Sequence, residues 1–261
     1  MMRIVSFASS SGGNCALISD GNAHILMDAG LSFKRIREAL RLMDLRVEDL
    51  SAHLLTHEHG DHIAGLPMLE KYTELPVYTS GGTARALMAK GKLLGKHLRL
   101  LQAGESVEIG GLAVTPFETP HDAAESLGFV FERGGCRAAA VTDLGHVTPE
   151  VRRAVLGAEL VLLEANHDVG MLRCGPYPYT LQQRILGPFG HLSNEASGEL
   201  ALALAEAGCR RLLLAHLSKE NNTPRLARDT VAAALLQGGV RPGSLQLCVA
   251  PPDGMSDRLE S

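Results

Sequence analysis

At 261 residues, the chain is long enough for one large α/β domain or two small ones. Hydrophobic residues make up 45% and charged residues 21%, an ordinary balance for a globular protein, and no apolar run approaches the roughly 20 residues that span a bilayer. A formal charge of -4 gives no support for nucleic-acid binding through bulk charge, but it leaves room for a local basic groove.

The first half reads as strand-rich. Arg3–Ala8, Cys15–Ser19 and His24–Asp28 are short β-favouring runs separated by the turns Ser11-Gly12-Gly13-Asn14 and Asp20-Gly21-Asn22. Ser32 then opens a helix through Met43, with Phe33, Ile36, Leu40 and Met43 on one face. Ala52–Thr56 reads as a buried strand, and Ile63–Leu69 resumes an apolar pattern at helical spacing. Pro76–Thr79 is a strand and Thr83–Lys90 a helix. Five more strands follow: Leu98–Leu101, Ser106–Ile109, Leu112–Phe117, Ser126–Glu132 and Arg137–Thr142. The second half turns helical between the single strands Glu159–Glu164, Arg211–Ala215 and Leu245–Val249. There Ser193 caps a helix that Gly208 stops, and Thr223-Pro224 opens another that ends at Gly238-Gly239. No linker or low-complexity tract divides the chain, so residues 1–261 read as a single domain. The strands-then-helices order occurs twice, which suits two sheets face to face with helices outside.

The five cysteines are odd in number and form no C-x-x-C pair, so they read as reduced thiols in a cytoplasmic protein. The N-terminal apolar stretch is too short for a signal peptide, and no membrane association is expected.

His57-Glu58-His59-Gly60-Asp61-His62 lies between a predicted strand and a helix. It packs three imidazoles and two carboxylates into six residues, and metal binding is the main chemistry that needs such crowding. A helix cap would explain one aspartate but not three histidines. Downstream, His121, Asp143 and His216 each stand at the end of a buried-looking strand, where function gathers. An ionisable group at the end of a core strand is costly unless paired or ligated.

The ordered set H-x-H-x-D-H, His, Asp, His resembles the metallo-β-lactamase superfamily, whose four-layer αββα sandwich holds a two-metal site. The resemblance implies an α/β fold of that kind. It implies His57, His59 and His121 as ligands of one ion, Asp61, His62 and His216 as ligands of the other, and Asp143 as the bridging carboxylate. It also implies Asp28 as the early aspartate that orients a ligand histidine. Imidazole and carboxylate without thiolate suit zinc, and the carboxylate-rich position also admits manganese or iron. Two such ions roughly 3.5–4 Å apart hold a bridging hydroxide and clamp a phosphoryl or acyl oxygen. The commonest zinc β-lactamases carry a cysteine at the position of Asp143. An aspartate there is typical of the phosphodiesterase and thioester hydrolase branches.

Four further stretches resemble the YycJ/WalJ family of bacterial metallohydrolases, associated with 5′-to-3′ exonuclease activity on double-stranded DNA. They are Ser9–Cys15, Glu164–Asp168, Gly190–Asn194 and Ala215–Asn222. The first departs from that family's usual Gly-Ser-Ser-Gly-Asn, because Ser10-Ser11-Gly12-Gly13-Asn14 shifts the small residues. The Glu164 and His191 stretches also resemble the tRNase Z endoribonucleases. That likeness implies Glu164 orienting His191, which protonates the leaving oxygen, with catalytic Asp61 among the metal ligands. His167 reads either as support behind the site, as a substrate contact or as loop packing. Phosphate contacts are expected from Lys219, Asn221 and Arg184, and from Ser10, Ser11 and Asn14 in the early turn, whose backbone N–H groups can form an anion nest. Arg173 and Arg184 flank Pro176–Tyr179, read as an aromatic lid.

The resulting expectation is a dinuclear hydrolase of nucleic acid, with DNA favoured and trimming from a 5′ end. The alternatives are a tRNase Z-like endoribonuclease and a hydrolase of small esters, thioesters or cyclic phosphodiesters. Oligomeric state is left open, a homodimer included.

Overall fold

The computed structural model describes residues 1–260. Strands β1 (Arg3–Ser10), β2 (Gly13–Ser19), β3 (His24–Met27), β4 (Ala52–Leu54), β5 (Val77–Ser80) and β6 (Leu98–Leu101) form one sheet. Strands β7 (Val107–Ile109), β8 (Leu112–Glu118), β9 (Leu127–Arg133), β10 (Cys136–Val141), β11 (Leu160–Glu164), β12 (Arg211–Ala215) and β13 (Gln246–Val249) form the other, and β14 (Leu259–Glu260) returns to the first. The strand orders are β14-β1-β2-β3-β4-β5-β6 and β13-β12-β11-β10-β9-β8-β7. Each sheet starts antiparallel and becomes parallel: β3 through β6 pair in parallel in one, and β10 through β13 in the other. This is the α/β metallo-β-lactamase architecture that the sequence led us to expect.

Helices α1 (Phe33–Arg41), α2 (Gly60–Ile63), α3 (Leu66–Tyr72), α4 (Gly81–Ala89), α5 (Pro149–Val155), α6 (Val169–Cys174), α7 (Tyr179–Leu186), α8 (Asn194–Glu206) and α9 (Pro224–Gln237) complete the chain. Both faces of each sheet are covered, so the strands read as continuous apolar runs whose alternate residues enter different cores. Ile4, Ile18 and Ile25 point between the sheets to meet Phe129, Phe131 and Leu162. Their neighbours Val5, Leu17 and Leu26 point outward beneath Ile36 and Leu40 of α1 and Leu69 of α3. On the other side, Val161, Leu163 and Leu212 pack beneath α5, α8 and α9.

Local signals set several boundaries as expected. The Ser193 hydroxyl accepts from Ala196 N at 3.2 Å, and the Thr223 hydroxyl accepts from Leu226 N at 3.1 Å. Gly208 ends the first of these helices with φ of 102°. Other boundaries moved. The early turn is a two-residue hairpin, because β1 runs on to Ser10 and β2 begins at Gly13. The helix after the histidine run is broken in two: a Cβ on Gly65 would lie 2.3 Å from Leu31 O, so the backbones touch there. No described helix is long and apolar enough to cross a membrane.

Candidate metal centre

The polar residues converge on one edge of the sandwich, where strands from both sheets end. Four non-glycine residues take the left-handed backbone conformation, and three of them are here: Asp28 (φ 57°), Asp143 (φ 59°) and His216 (φ 57°). Each such residue costs about 1–3 kcal/mol, so the surrounding packing must hold it. All three lie just beyond a strand in the interior of its sheet: β3, β10 and β12. The left-handed turn takes the side chain out of the up-down alternation of the strand and aims it across the edge.

His57, His62, His121, Asp143 and His216 are buried, while His59 and Asp61 are half-buried. Four groups of donor atoms lie within 4.8 Å of one another: His57 with His59 and His121; His57 with His62 and Asp143; Asp61 with His62 and His216; and Asp143 with Glu164, His191 and His216. Donors sharing one tetrahedral ion stand roughly 3.3 Å apart, given ligand distances near 2.0–2.1 Å. His59 Nδ1 lies 3.2 Å from His121 Nε2, and Asp61 Oδ2 lies 3.4 Å from both His62 Nε2 and His216 Nε2. Asp143 faces both groups, with Oδ2 at 3.5 Å from His62 Nε2 and Oδ1 at 3.8 Å from His121 Nε2. His57 Nε2 and Asp143 Oδ2 are buried without a hydrogen-bond partner. Such orphaned atoms are rare in packed interiors and fit a bound cation. The donor set fits a divalent metal.

Hydrogen bonds behind the rings select which nitrogen faces inward. His62 Nδ1 donates to Asp28 Oδ2 at 2.8 Å, and His121 Nδ1 donates to the Gly190 carbonyl at 3.0 Å. His57 Nδ1 donates to Thr56 Oγ1 at 3.0 Å, and that hydroxyl donates on to Asp28 at 3.0 Å. Glu164 Oε1 accepts from His216 Nδ1 and His191 Nδ1, each at 2.8 Å. Every one of these bonds occupies Nδ1 and leaves Nε2 for the centre, which is how ligand imidazoles are oriented.

Electrostatics follow from four carboxylates in one small volume. Burial disfavours charge on His216, yet Asp143, Asp61 and Glu164 push its pKa up to about 10. His62 is likewise raised well above its ordinary value: burial opposes it, but Asp143 and Asp28 prevail. Burial also opposes ionisation of Asp143, but His216 and His62 hold it below the usual carboxylate range. His57 is driven well below its ordinary value by burial and by the neighbouring His62, His121 and His59, against a smaller opposing pull from Asp61. The site favours positive charge, and a divalent cation would supply it in the most compact form.

The remaining expected residues fall in different places. His191 lines a cavity of about 200 Å³ together with Ser11, Tyr177, Leu181, Arg184 and Ile185. Arg184 is tied to Asp122 at 2.5 Å on its rim. Asn14 is drawn into the centre itself: its Nδ2 lies 3.1 Å from Asp61 Oδ2 and 3.1 Å from His62 Nε2. The Ser10 hydroxyl turns instead to Pro252 O at 3.4 Å. Lys219 Nζ is engaged by Asp253 at 3.1 Å, beside Gly12. Asn221 is fully buried and bonded to Ser218. His167 is also buried, with both ring nitrogens lacking partners, and burial takes its pKa down to about 4.

Sequence reasoning missed Thr56, Asp122, Gly30 and the Gly190 carbonyl. Thr56 was marked only by its place between a strand and the first histidine. Gly30 is required because a Cβ there would lie 1.8 Å from Asp61 O. Nothing local announces a carbonyl acceptor.

The beta-lactamase superfamily domain profile matches residues 23–217. The chain belongs to the metallo-β-lactamase superfamily. It is 36% identical over 236 residues to the exodeoxyribonuclease YycJ of Bacillus anthracis, covering 89% of this chain and 88% of that one. It is also 36% identical over 240 residues to the exodeoxyribonuclease WalJ of Streptococcus pneumoniae, covering 90% and 89%. Among solved structures, zinc-bound PqqB of Methylobacterium extorquens superposes with a TM-score of 0.72 at 21% identity over the whole of both chains. The chain is therefore a metallo-β-lactamase-fold hydrolase with nuclease relatives.

Proposed function

We propose that this protein is a dinuclear metal-dependent phosphodiesterase that shortens DNA from a 5′ end. The observation that carries the reading is a full donor set, with the Glu164–His191 pair beside it, in a chain 36% identical along nine-tenths of its length to exodeoxyribonucleases. His57, His59 and His121 would hold one ion and Asp61, His62 and His216 the other, with Asp143 available to both because its carboxylate lies within 3.8 Å of a histidine in each group. Zinc suits the histidine-rich position; manganese or iron suits the carboxylate-rich one. When bound, the ions supply Lewis acidity at the phosphoryl oxygens and lower the pKa of the attacking water.

The protein's own groups do the rest. Asn14 donates its amide to Asp61 Oδ2, so the carboxylate cannot swing away. Asp28 and Thr56 lock His62 and His57. His191, with Nδ1 held by Glu164 and its ring 21% exposed, presents Nε2 to the cavity and donates a proton to the departing oxygen. Arg184 and Ser11 on the rim receive the phosphate flanking the scissile bond, and α7 forms the wall against which the terminal nucleotide rests.

The test is a 3′-labelled duplex with a 5′-phosphate, incubated with protein reloaded with Mn²⁺ or Zn²⁺ after chelation. Stepwise loss from the 5′ end is expected, and none with Asp61→Ala. Turnover of a small thioester with an intact duplex would overturn the assignment.

A further inference from the structure

Away from the metal centre, α1 carries Lys34, Arg35, Arg37 and Arg41, in a chain whose net charge is negative. Phe33, Arg37 and Arg41 are spaced by four and so share one face. With Arg46 and Tyr72 they line a groove of about 460 Å³, in which a single carboxylate, Glu48, opposes three arginines. The other cations nearby are engaged: Lys34 pairs with Glu38 at 3.9 Å, Arg35 with Asp253 at 3.8 Å and Arg46 with Asp49 at 3.1 Å. Among the described residues, Arg37 and Arg41 form no ion pair. Arg37 instead lies over the Phe33 ring, 5.8 Å from its centroid, and Tyr72 stacks on Phe33 with centroids 5.9 Å apart and planes inclined by 15°. Tyr72 remains 59% exposed, with the Lys71 ammonium 5.2 Å from its ring centroid, so a stacking base takes the place of that flexible side chain.

Each part matches one half of a nucleotide. A guanidinium whose face rests on an aromatic ring keeps its N–H edge free, and that edge is what grips a phosphate in bidentate fashion. An exposed tyrosine braced from behind is a platform on which an unpaired base stacks without regard to sequence. The start of α1 also lies close to the centre. Ser32, which caps α1, follows Gly30, whose N–H donates to Asn14 O, and Asn14 touches Asp61. From that cap to Arg41 is roughly 14 Å along the helix axis, a span of a few nucleotides.

We propose that this groove is a second polynucleotide site, in which Arg37 and Arg41 clamp backbone phosphate while Tyr72 stacks an unpaired base. This rests on the nuclease reading for its ligand, not for its geometry. The site holds a strand that extends beyond the scissile bond, so it favours long substrates over short ones.

The experiment is fluorescence anisotropy of the metal-loaded full chain with a phosphorothioate-protected single strand, over a range of salt. Arg37→Ala/Arg41→Ala is expected to weaken binding at least about tenfold and to lower the slope of log affinity against log salt by roughly 1.4, two phosphate contacts' worth. Tyr72→Ala is expected to weaken binding about tenfold with the slope unchanged. The control is Arg225→Ala/Arg228→Ala on α9, which removes equal charge elsewhere, and thermal melting checks that each variant folds. Unaltered affinity and slope in the α1 variant, or an equal loss in the α9 variant, overturns the proposal. So does tight binding of a free mononucleotide that depends on Arg37 and Arg41 while strand binding does not. If the unaltered chain degrades no DNA yet binds the strand through these residues, the nuclease reading falls and the groove stands. DNA degradation with wild-type strand binding by the α1 variant has the opposite meaning.

Discussion

At the residue scale, the centre separates groups that would hold metal from groups that would act on substrate. Asp28 touches no substrate-facing cavity but locks His62 directly and His57 through Thr56. Asp28→Ala is therefore expected to lower metal affinity about 10- to 100-fold, measured by competition with a chromogenic chelator. His191→Ala should behave oppositely. Metal content by plasma mass spectrometry stays at the wild-type level while kcat falls roughly 10²- to 10⁴-fold, the range for losing a general acid. Loss of metal in that variant would reassign His191 as a ligand. Glu164 is less separable, because one oxygen serves both His191 and His216, so its removal should impair both properties.

At the element scale, β4 contains an unusual liability. His53 is fully buried in this short parallel strand, and neither ring nitrogen has a hydrogen-bond partner. Burial takes its pKa down to about 4. Above about pH 6.5 the ring is neutral in the folded and unfolded chain alike, so it adds no pH dependence. As pH falls from there toward 4, the unfolded chain takes up the proton and the folded chain does not. Stability is lost across that window, of the order of 3 kcal/mol in all. His53→Leu should flatten this acid limb, read as the difference in urea midpoint between variant and parent at pH 7 and pH 4.5. An identical pH dependence in the two proteins would show that His53 finds a partner in the folded state.

The boundaries of most elements were readable because they depend on near neighbours. Ser193, Thr223 and Gly208 act within one turn, and alternation along β1–β3 reflects burial of both sheet faces. Where prediction slipped, a distant contact was responsible. The helix after His62 breaks at Gly65 because that residue's N–H donates to Ala29 O, from another segment, at 2.7 Å, and Leu31 O fills the space a side chain would need. Helix α6 is six residues long and buries only Leu172, and α7 buries no side chain fully, so neither presents a buried apolar stripe.

At the scale of the whole molecule, the centre staples the two sheets together. His57, His59, Asp61 and His62 come from the first sheet's edge, and His121, Asp143 and His216 from the second. A cation that binds only the folded chain stabilises it by mass action, about 2.7 kcal/mol at a hundredfold excess over Kd. For a chain of this size that corresponds to a rise of roughly 5–10 °C in Tm. Differential scanning calorimetry with and without chelator should show it, and Asp143→Asn should diminish it.

The sequence by itself determined which residue types would meet, and at which strand ends. Imidazoles and carboxylates crowded into one turn have few other uses, and ionisable groups closing apolar strands must be satisfied. Only the tertiary structure decided which nitrogen of each ring faces inward, that Thr56 relays Asp28 to His57, that Asp253 holds Lys219, and that Arg37 and Arg41 open onto a groove. Those outcomes depend on how the two sheets dock: Ser9 meets His216 across 207 positions of chain, and Asp28 meets His62 across 34. Periodicity encodes which face of an element is buried, but it says nothing about which distant element lies opposite.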